Sequence, residues 1–153
     1  MIDSVLYQQI LRVMPISAVD LIVEDDKRRI LLARRANEPA KGMWWFPGGR
    51  VHFLETRLVA AERKLKEECA LVALQISELS THDVIVERSD DPTIKVHGIS
   101  TFYRMRVGSQ VNFILDGQNS EADWRLPQDW LSISLPDFVR EGINNYLKVM
   151  NED

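Results

Sequence analysis

The sequence predicts an α/β protein built on a mixed β-sheet covered by helices. Two observations carry this. An apolar, β-branched run at 16–24 meets a polar turn and a second apolar run, the pattern of two paired strands. Segments with helical spacing, at 2–13, 56–69 and 136–149, are interspersed with strand-like stretches instead of being grouped at one end.

In order, residues 2–13 place Leu6, Ile10 and Val13 on one helical stripe, and Pro15 stops that helix. ISAVDLIVE at 16–24 reads as a buried strand, Asp25 to Arg28 as a turn, and Arg29 to Ala33 as the returning strand. Asn37 to Gly42 forms a loop around Pro39. Trp44-Trp45-Phe46 is a short aromatic strand ended by Pro47-Gly48-Gly49. Between Thr56 and Cys69, the recurrence of Leu58, Ala61, Leu65 and Cys69 predicts a helix with one buried face. Strand-like stretches follow at about 73–87, 95–107 and 111–115. Residues 136–149 close the chain as a helix with Phe138, Ile143, Tyr146 and Leu147 apolar. Trp44, Trp45, Trp124, Trp130 and Cys69 are expected to pack in the interior.

Composition narrows the function classes. The 153 residues read as one domain, 1–153, with 1–14 as an N-terminal helix. The net charge of −4 argues against a general nucleic-acid binder. No apolar run approaches the length of a membrane span. The start shows no basic segment or small-residue cleavage site, so no signal peptide is expected. Cys69 is the single cysteine, which excludes an intramolecular disulfide and cysteine-rich metal sites and points to a cytoplasmic protein.

Chemistry concentrates between Gly48 and Leu71, GGRVHFLETRLVAAERKLKEECAL. Two glycines after a strand allow a sharp turn and open backbone groups to a ligand. Glu55 precedes a helix, where a carboxylate suits the positive end of the dipole. Arg63 and Glu67 are i,i+4 neighbours, as are Lys64 and Glu68, so the cluster is a salt-bridged helix face or an ion-binding edge.

This stretch resembles the Nudix box, G-x5-E-x7-R-E-U-x-E-E-x-G-U with U a bulky apolar residue. Seven of nine specified positions agree without a gap: Gly49, Glu55, Arg63, Leu65, Glu67, Glu68 and Leu71. Lys64 stands in place of a glutamate and Ala70 in place of a glycine. The resemblance implies a Nudix-type α/β/α sandwich around a mixed sheet. Residues 15–51 also look like the GDP-mannose mannosyl hydrolase subgroup, in Asp20, Leu31-Leu32, Arg35, Asn37, Pro39-Ala40, Gly42, a Trp and Pro-Gly-Gly-Arg-Val. That subgroup releases GDP and mannose through water attack at the sugar C1, and it too lacks the glutamate that Lys64 replaces.

By that resemblance, the Gly48 carbonyl, Glu68 and the Gln118 side chain would hold Mg²⁺ (or Mn²⁺), with Glu67 a further ligand or a neighbour of the ion. Arg50 and Arg63 would face the diphosphate, and Asp20 and Arg35 would line the substrate pocket. Arg63 is equally expected to tie Glu55 to the helix, and Lys64 either to pair with Glu68 or to turn away from it. The subgroup's general base is a histidine after the glutamine; here that catalytic position holds Asn119, and an amide cannot take a proton at neutral pH. Glu121 and Asp123, or one of the histidines His52, His82 and His97, are the groups left for that role.

The sequence therefore points to a Mg²⁺-dependent hydrolase of a nucleotide sugar, GDP-mannose or GDP-glucose. A Nudix diphosphatase cutting P–O–P, with Glu67 and Glu68 as ligands, is the alternative, and a non-catalytic nucleotide-binding module the third. The resemblance also implies a homodimer formed through the N-terminal helix, which needs a surface for Leu6, Ile10 and Val13.

Overall fold

A computed structural model describes residues 2–108 and 119–152. The strand expected at 111–115 and the metal ligand expected at Gln118 lie outside the described residues. The elements are α1 (Ser4–Val13), β1 (Ile16–Glu24), β2 (Ile30–Arg35), β3 (Trp44–Trp45), β4 (Gly48–Arg50), α2 (Arg57–Cys69), β5 (Gln75–Glu87), β6 (Lys95–Arg106), β7 (Asn119–Arg125), α3 (Pro127–Leu131) and α4 (Asp137–Glu152).

The sheet runs β3-β2-β1-β6-β5, with β4 added against β1 and β7 against β2. β1 and β6 are parallel and the remaining pairs antiparallel, so the sheet is mixed. Alternation along β1 divides its side chains between two cores. Val19, Leu21 and Val23 pack with Ala60, Ala61, Leu65 and Cys69 of α2. Ile22, on the opposite face, packs with Trp130 of α3 and with Val139, Ile143 and Tyr146 of α4. The result is the expected sandwich, helices on both faces of a mixed sheet.

Local sequence explains the boundaries of the helices. Asp3 caps α1 by accepting from the amides of Val5 and Leu6, and Thr56 caps α2 by accepting from that of Val59. α2 ends at Ala70 in the left-handed conformation, φ 54° and ψ 32°.

Three expectations are corrected, and two elements escaped the sequence reading. Gly48 and Gly49 do not make a turn after the aromatic strand; they are strand β4, with Gly48 opposite Asp20 and Gly49 opposite Val19. Leu58 is exposed, because the inward face of α2 runs through Ala60, Ala61, Lys64, Leu65, Glu68 and Cys69. Trp45 is only partly buried, and its indole N–H serves a polar partner described below. β7 and α3 carried no periodic signal long enough to read; both are held by distant partners, β7 by β2 and Trp130 by its N–H bond to the Ile30 carbonyl.

Candidate active site

The site lies where β1, β4 and α2 meet. Leu21 N–H donates to the Pro47 carbonyl and Val51 N–H to that of Ser17. The intervening amide of Gly48 therefore points away from β1, and it donates to Glu68 Oε2 at 2.9 Å. A side chain at Gly48 would collide with the Val19 carbonyl at 2.2 Å, so only glycine lets β4 lie this close to β1.

Glu68 and Lys64 are both buried, at 4% and 5% exposure. Lys64 Nζ is 3.1 Å from Glu68 Oε1 and 3.6 Å from Glu67 Oε2. The ammonium thus sits between the two glutamates. Of the two expectations for Lys64, pairing with Glu68 is the one realised.

Arg63 is engaged elsewhere. Its Nε and Nη2 donate to both oxygens of Glu55 at 2.7 and 2.9 Å, Nη2 also to the Arg50 carbonyl, and Nη1 to Glu67. The guanidinium holds Glu55 well below the usual carboxylate range, at about 2. Three of these hydrogen bonds, two to Glu55 and one to the Arg50 carbonyl, stake the 51–55 loop and β4 to α2.

Asp20 faces the cavity from the same side of β1 as Ile16 and Ala18. Its carboxylate is 7% exposed and accepts from the Ser100 hydroxyl and from Trp45 Nε1–H, the latter at 3.2 Å. Burial pushes it up to about 6, against these two hydrogen bonds and the charge of Arg35. Arg35 donates through Nε to the Pro39 carbonyl at 2.7 Å, and Arg50 lies 5.0 Å over the ring of Tyr7.

These groups open on one cavity of about 610 Å³, the size of a small-molecule site. Its polar end carries Asp20, Arg35, Arg50, Arg63, Lys64, Glu67 and Glu68, and α1 supplies Tyr7 and Leu11 as a wall. Val84, Val86 and Val96 make an apolar floor. Of the nine expected site residues, eight are described. Seven of those, Gly48 included, line this cavity, and Asn119 begins β7 opposite Arg35.

The candidate replacements for the missing histidine are scattered. Glu121 pairs with Arg34 and Asp123 with Arg125, and neither lines the cavity. His82 bonds Ser80 and His97 faces Asp83, while His52 stands on the cavity rim. Sequence reasoning missed Ser100 and Tyr7. Ser100 reaches Asp20 only because β6 runs parallel to β1, and no local pattern announces that pairing.

The NUDIX domain family model matches residues 14–146, and the chain belongs to that family. It is a Nudix hydrolase, a class that acts on nucleotide-like substrates and generally uses divalent metal ions such as Mg²⁺. The low-salt glycan biosynthesis protein Agl8 of Haloferax volcanii is 31% identical over 142 residues, 93% of this chain and 83% of that protein. The ADP-ribose pyrophosphatase of Methanocaldococcus jannaschii is 47% identical over 58 residues, 38% of this chain and 34% of that protein. Among solved structures, the MutT protein of Methanosarcina mazei superposes with a TM-score of 0.75 at 19% identity, covering 91% of this chain and 97% of that one. The NUDIX domain of Shewanella oneidensis NrtR gives 0.73 at 22% identity, covering 97% and 99%.

The described donors include a place for a small cation beside β4. No group of three Asp, Glu, His or Cys side chains converges on a point among the described residues. One buried carboxylate, Glu68, stands beside the outward-facing edge of Gly48, a sparse set that Mg²⁺ accepts when substrate phosphates complete its shell.

Proposed function

We propose that this protein hydrolyses a GDP-sugar, GDP-mannose or GDP-glucose, to GDP and free sugar by water attack at the sugar C1. The carrying observation is the pairing of buried Glu68 with buried Lys64 in a cavity whose polar end also carries the guanidinium groups of Arg35, Arg50 and Arg63. Such a site has few carboxylates to gather several ions for attack at phosphorus. It has ample positive charge for a departing diphosphate. The relation to a glycan biosynthesis protein over 93% of the chain supports sugar-nucleotide chemistry.

In this reading, Arg35 and Arg50 hold the diphosphate, with the planar, two-pronged donor geometry that guanidinium brings to phosphate. Arg63 keeps β4 and Arg50 in place through the Arg50 carbonyl. Asp20, the cavity carboxylate without a salt bridge among the described residues, accepts a sugar hydroxyl and orients C1. A divalent cation, held by the Gly48 carbonyl, Glu68 and Gln118 with Glu67 alongside, would supply further charge neutralisation at the leaving group. Water then adds to C1 through an oxocarbenium-like state as the C1–O bond breaks.

A second reading, cleavage of the P–O–P bond in a nucleotide or nucleotide sugar, is favoured by the local match to an ADP-ribose pyrophosphatase and by the intact Glu67-Glu68 pair. Product analysis with GDP-mannose, protein and Mg²⁺ separates the two. GDP and mannose are expected; GMP and mannose 1-phosphate would establish the second reading, and stabilisation by the nucleotide without any product would leave a binding module.

A further inference from the structure

We propose that Lys64 is a built-in cation of this site: its ammonium takes the place of a divalent ion between Glu67 and Glu68 and is offered to the diphosphate of the substrate. The diphosphate part of this inference rests on the function proposed above; the ion count does not.

Three observations on this chain lead there. The first is location. Lys64 Nζ is within 3.1 Å of Glu68 and 3.6 Å of Glu67, on the cavity that also holds Arg35 and Arg50. The second is construction. The side chain is buried, and its path is built into β4: a methyl group on Gly49 would lie 2.8 Å from Lys64 Cε and 3.3 Å from Nζ. A lysine stem normally carries its charge to water; this one is led inward across a glycine. The third is charge. A glutamate at this position would carry one negative charge where lysine carries one positive. The exchange alters the local charge by two units, the charge of one Mg²⁺.

The electrostatic consequence is specific. Glu55 is matched by Arg63 and Glu68 by Lys64, so these four charges cancel without any bound ion. A second divalent ion at Glu67 and Glu68 would have to approach a fixed ammonium at close range, and like charges repel strongly in a partly buried setting. An ammonium has three donors; Nζ lies at hydrogen-bond distance from Glu68 at 3.1 Å and only at ion-pair distance from Glu67 at 3.6 Å, which leaves a donor for a phosphate oxygen.

The test counts ions on the full-length protein without substrate. Free Mn²⁺ is followed by electron paramagnetic resonance during titration of the wild type and of Lys64→Glu, Lys64→Gln and Lys64→Arg. The wild type and Lys64→Arg are expected to saturate at one ion per chain. Lys64→Glu should take up at least one more, and Lys64→Gln should bind the first ion about tenfold more tightly. Two or more ions on the wild type, or equal count and affinity in all four proteins, would overturn the assignment. Circular dichroism monitors folding; if Lys64→Glu does not fold, the glutamine and arginine variants decide the matter.

A second arm reads the diphosphate contact by calorimetry with GDP in the presence of EDTA. Lys64→Gln should weaken GDP binding about tenfold and Lys64→Arg should not. Unchanged GDP affinity in Lys64→Gln would remove the substrate contact from the proposal while the Mn²⁺ count still judged the ion's place. A failure of the proposed sugar chemistry shows in the product analysis and leaves both of these measurements standing.

Discussion

The Lys64 side chain lies over Gly49, whose missing side chain makes room for its Cε. Gly49 is an extended strand residue with no left-handed backbone to explain it. The glycine is there for its size. Gly49→Ala should therefore displace the lysine, break its pairing with Glu68, and cost about 1–3 kcal/mol, as overpacking does. Urea unfolding measures the loss. In Lys64→Ala, which vacates the same space, adding Gly49→Ala should cost less than it does alone, and a double-mutant cycle reads the difference.

This relationship also shows where sequence reading reached and where it stopped. The box spacing located α2 and the Glu55–Arg63 pair because both span short, gap-free distances, whereas β4 reads as a turn, since its pairing with β1 lies about 30 residues back in the chain. The direction of Lys64 was not legible. A lysine four residues before a glutamate reads as a surface pair on any helix, and burial is decided by β4 folding back across it. Leu58 misled for the converse reason: its spacing fitted the stripe, but the sheet covers the helix about a third of a turn away. Asp20 stood out only as a charged residue in an apolar strand. Its partners, Trp45 and Ser100, come from 25 and 80 residues away.

Ala70 occupies the glycine position of the box, and the structure shows what that glycine is for. The residue caps α2 with φ 54°, a conformation that costs a β-carbon about 1–2 kcal/mol. Ala70→Gly should stabilise the protein by about 0.5–1 kcal/mol after the greater entropy of an unfolded glycine is counted. For a chain of this size that is a rise in Tm of about 1–4 °C, measurable by calorimetry, with no change in substrate affinity.

The buried carboxylate of Asp20 makes stability depend on pH. Its folded value of about 6 lies above the unfolded 3.8, so the fold favours the protonated acid. Below pH 3.8 both states hold the proton and there is no cost. Between about 4 and 6 the unfolded chain releases it first, and stability falls by as much as about 3 kcal/mol, then stays level. Asp20→Asn keeps an acceptor for Trp45 and a partner for Ser100 without the charge. Its advantage in urea unfolding should be absent near pH 4, grow to pH 6, and remain at pH 8. Its activity should fall, since the carboxylate that orients the sugar is gone.

Glu55 predicts the opposite sign. Its folded value, about 2, lies below the usual 4.5, so its ion pair stabilises the fold above pH 4.5 and the contribution fades as the pH falls toward 2. Glu55→Gln leaves Arg63 short of its main partner and should cost about 1–3 kcal/mol at pH 6. The gap between variant and wild type should narrow steadily from pH 4.5 to pH 3. Limited proteolysis should cut the variant within residues 51–55, the loop that Arg63 holds through Glu55, at a rate the wild type does not show.

α1 is the part of the chain whose removal separates folding from binding. The family match begins at residue 14, and no residue of α1 is buried, so the sandwich owes little of its core to this helix. Yet Tyr7 and Leu11 form a wall of the cavity, and Tyr7 carries the guanidinium of Arg50 on its ring. Deleting residues 1–14 should leave a cooperative thermal transition close to that of the full chain. Affinity for GDP should drop about tenfold, because Arg50 loses its support and the cavity one side. Tyr7→Ala should reproduce part of that loss on its own. Of the residues expected to form the homodimer surface, Leu6 and Val13 are exposed and Ile10 is half-buried, and we propose this stripe of α1 as the dimer contact. Light scattering on the full chain should then give about 35 kDa, twice the 17.7 kDa of one chain, and the deletion should give a monomer. A full chain that is monomeric would assign α1 to the cavity alone; a deletion that binds GDP with undiminished affinity would assign it to the dimer alone.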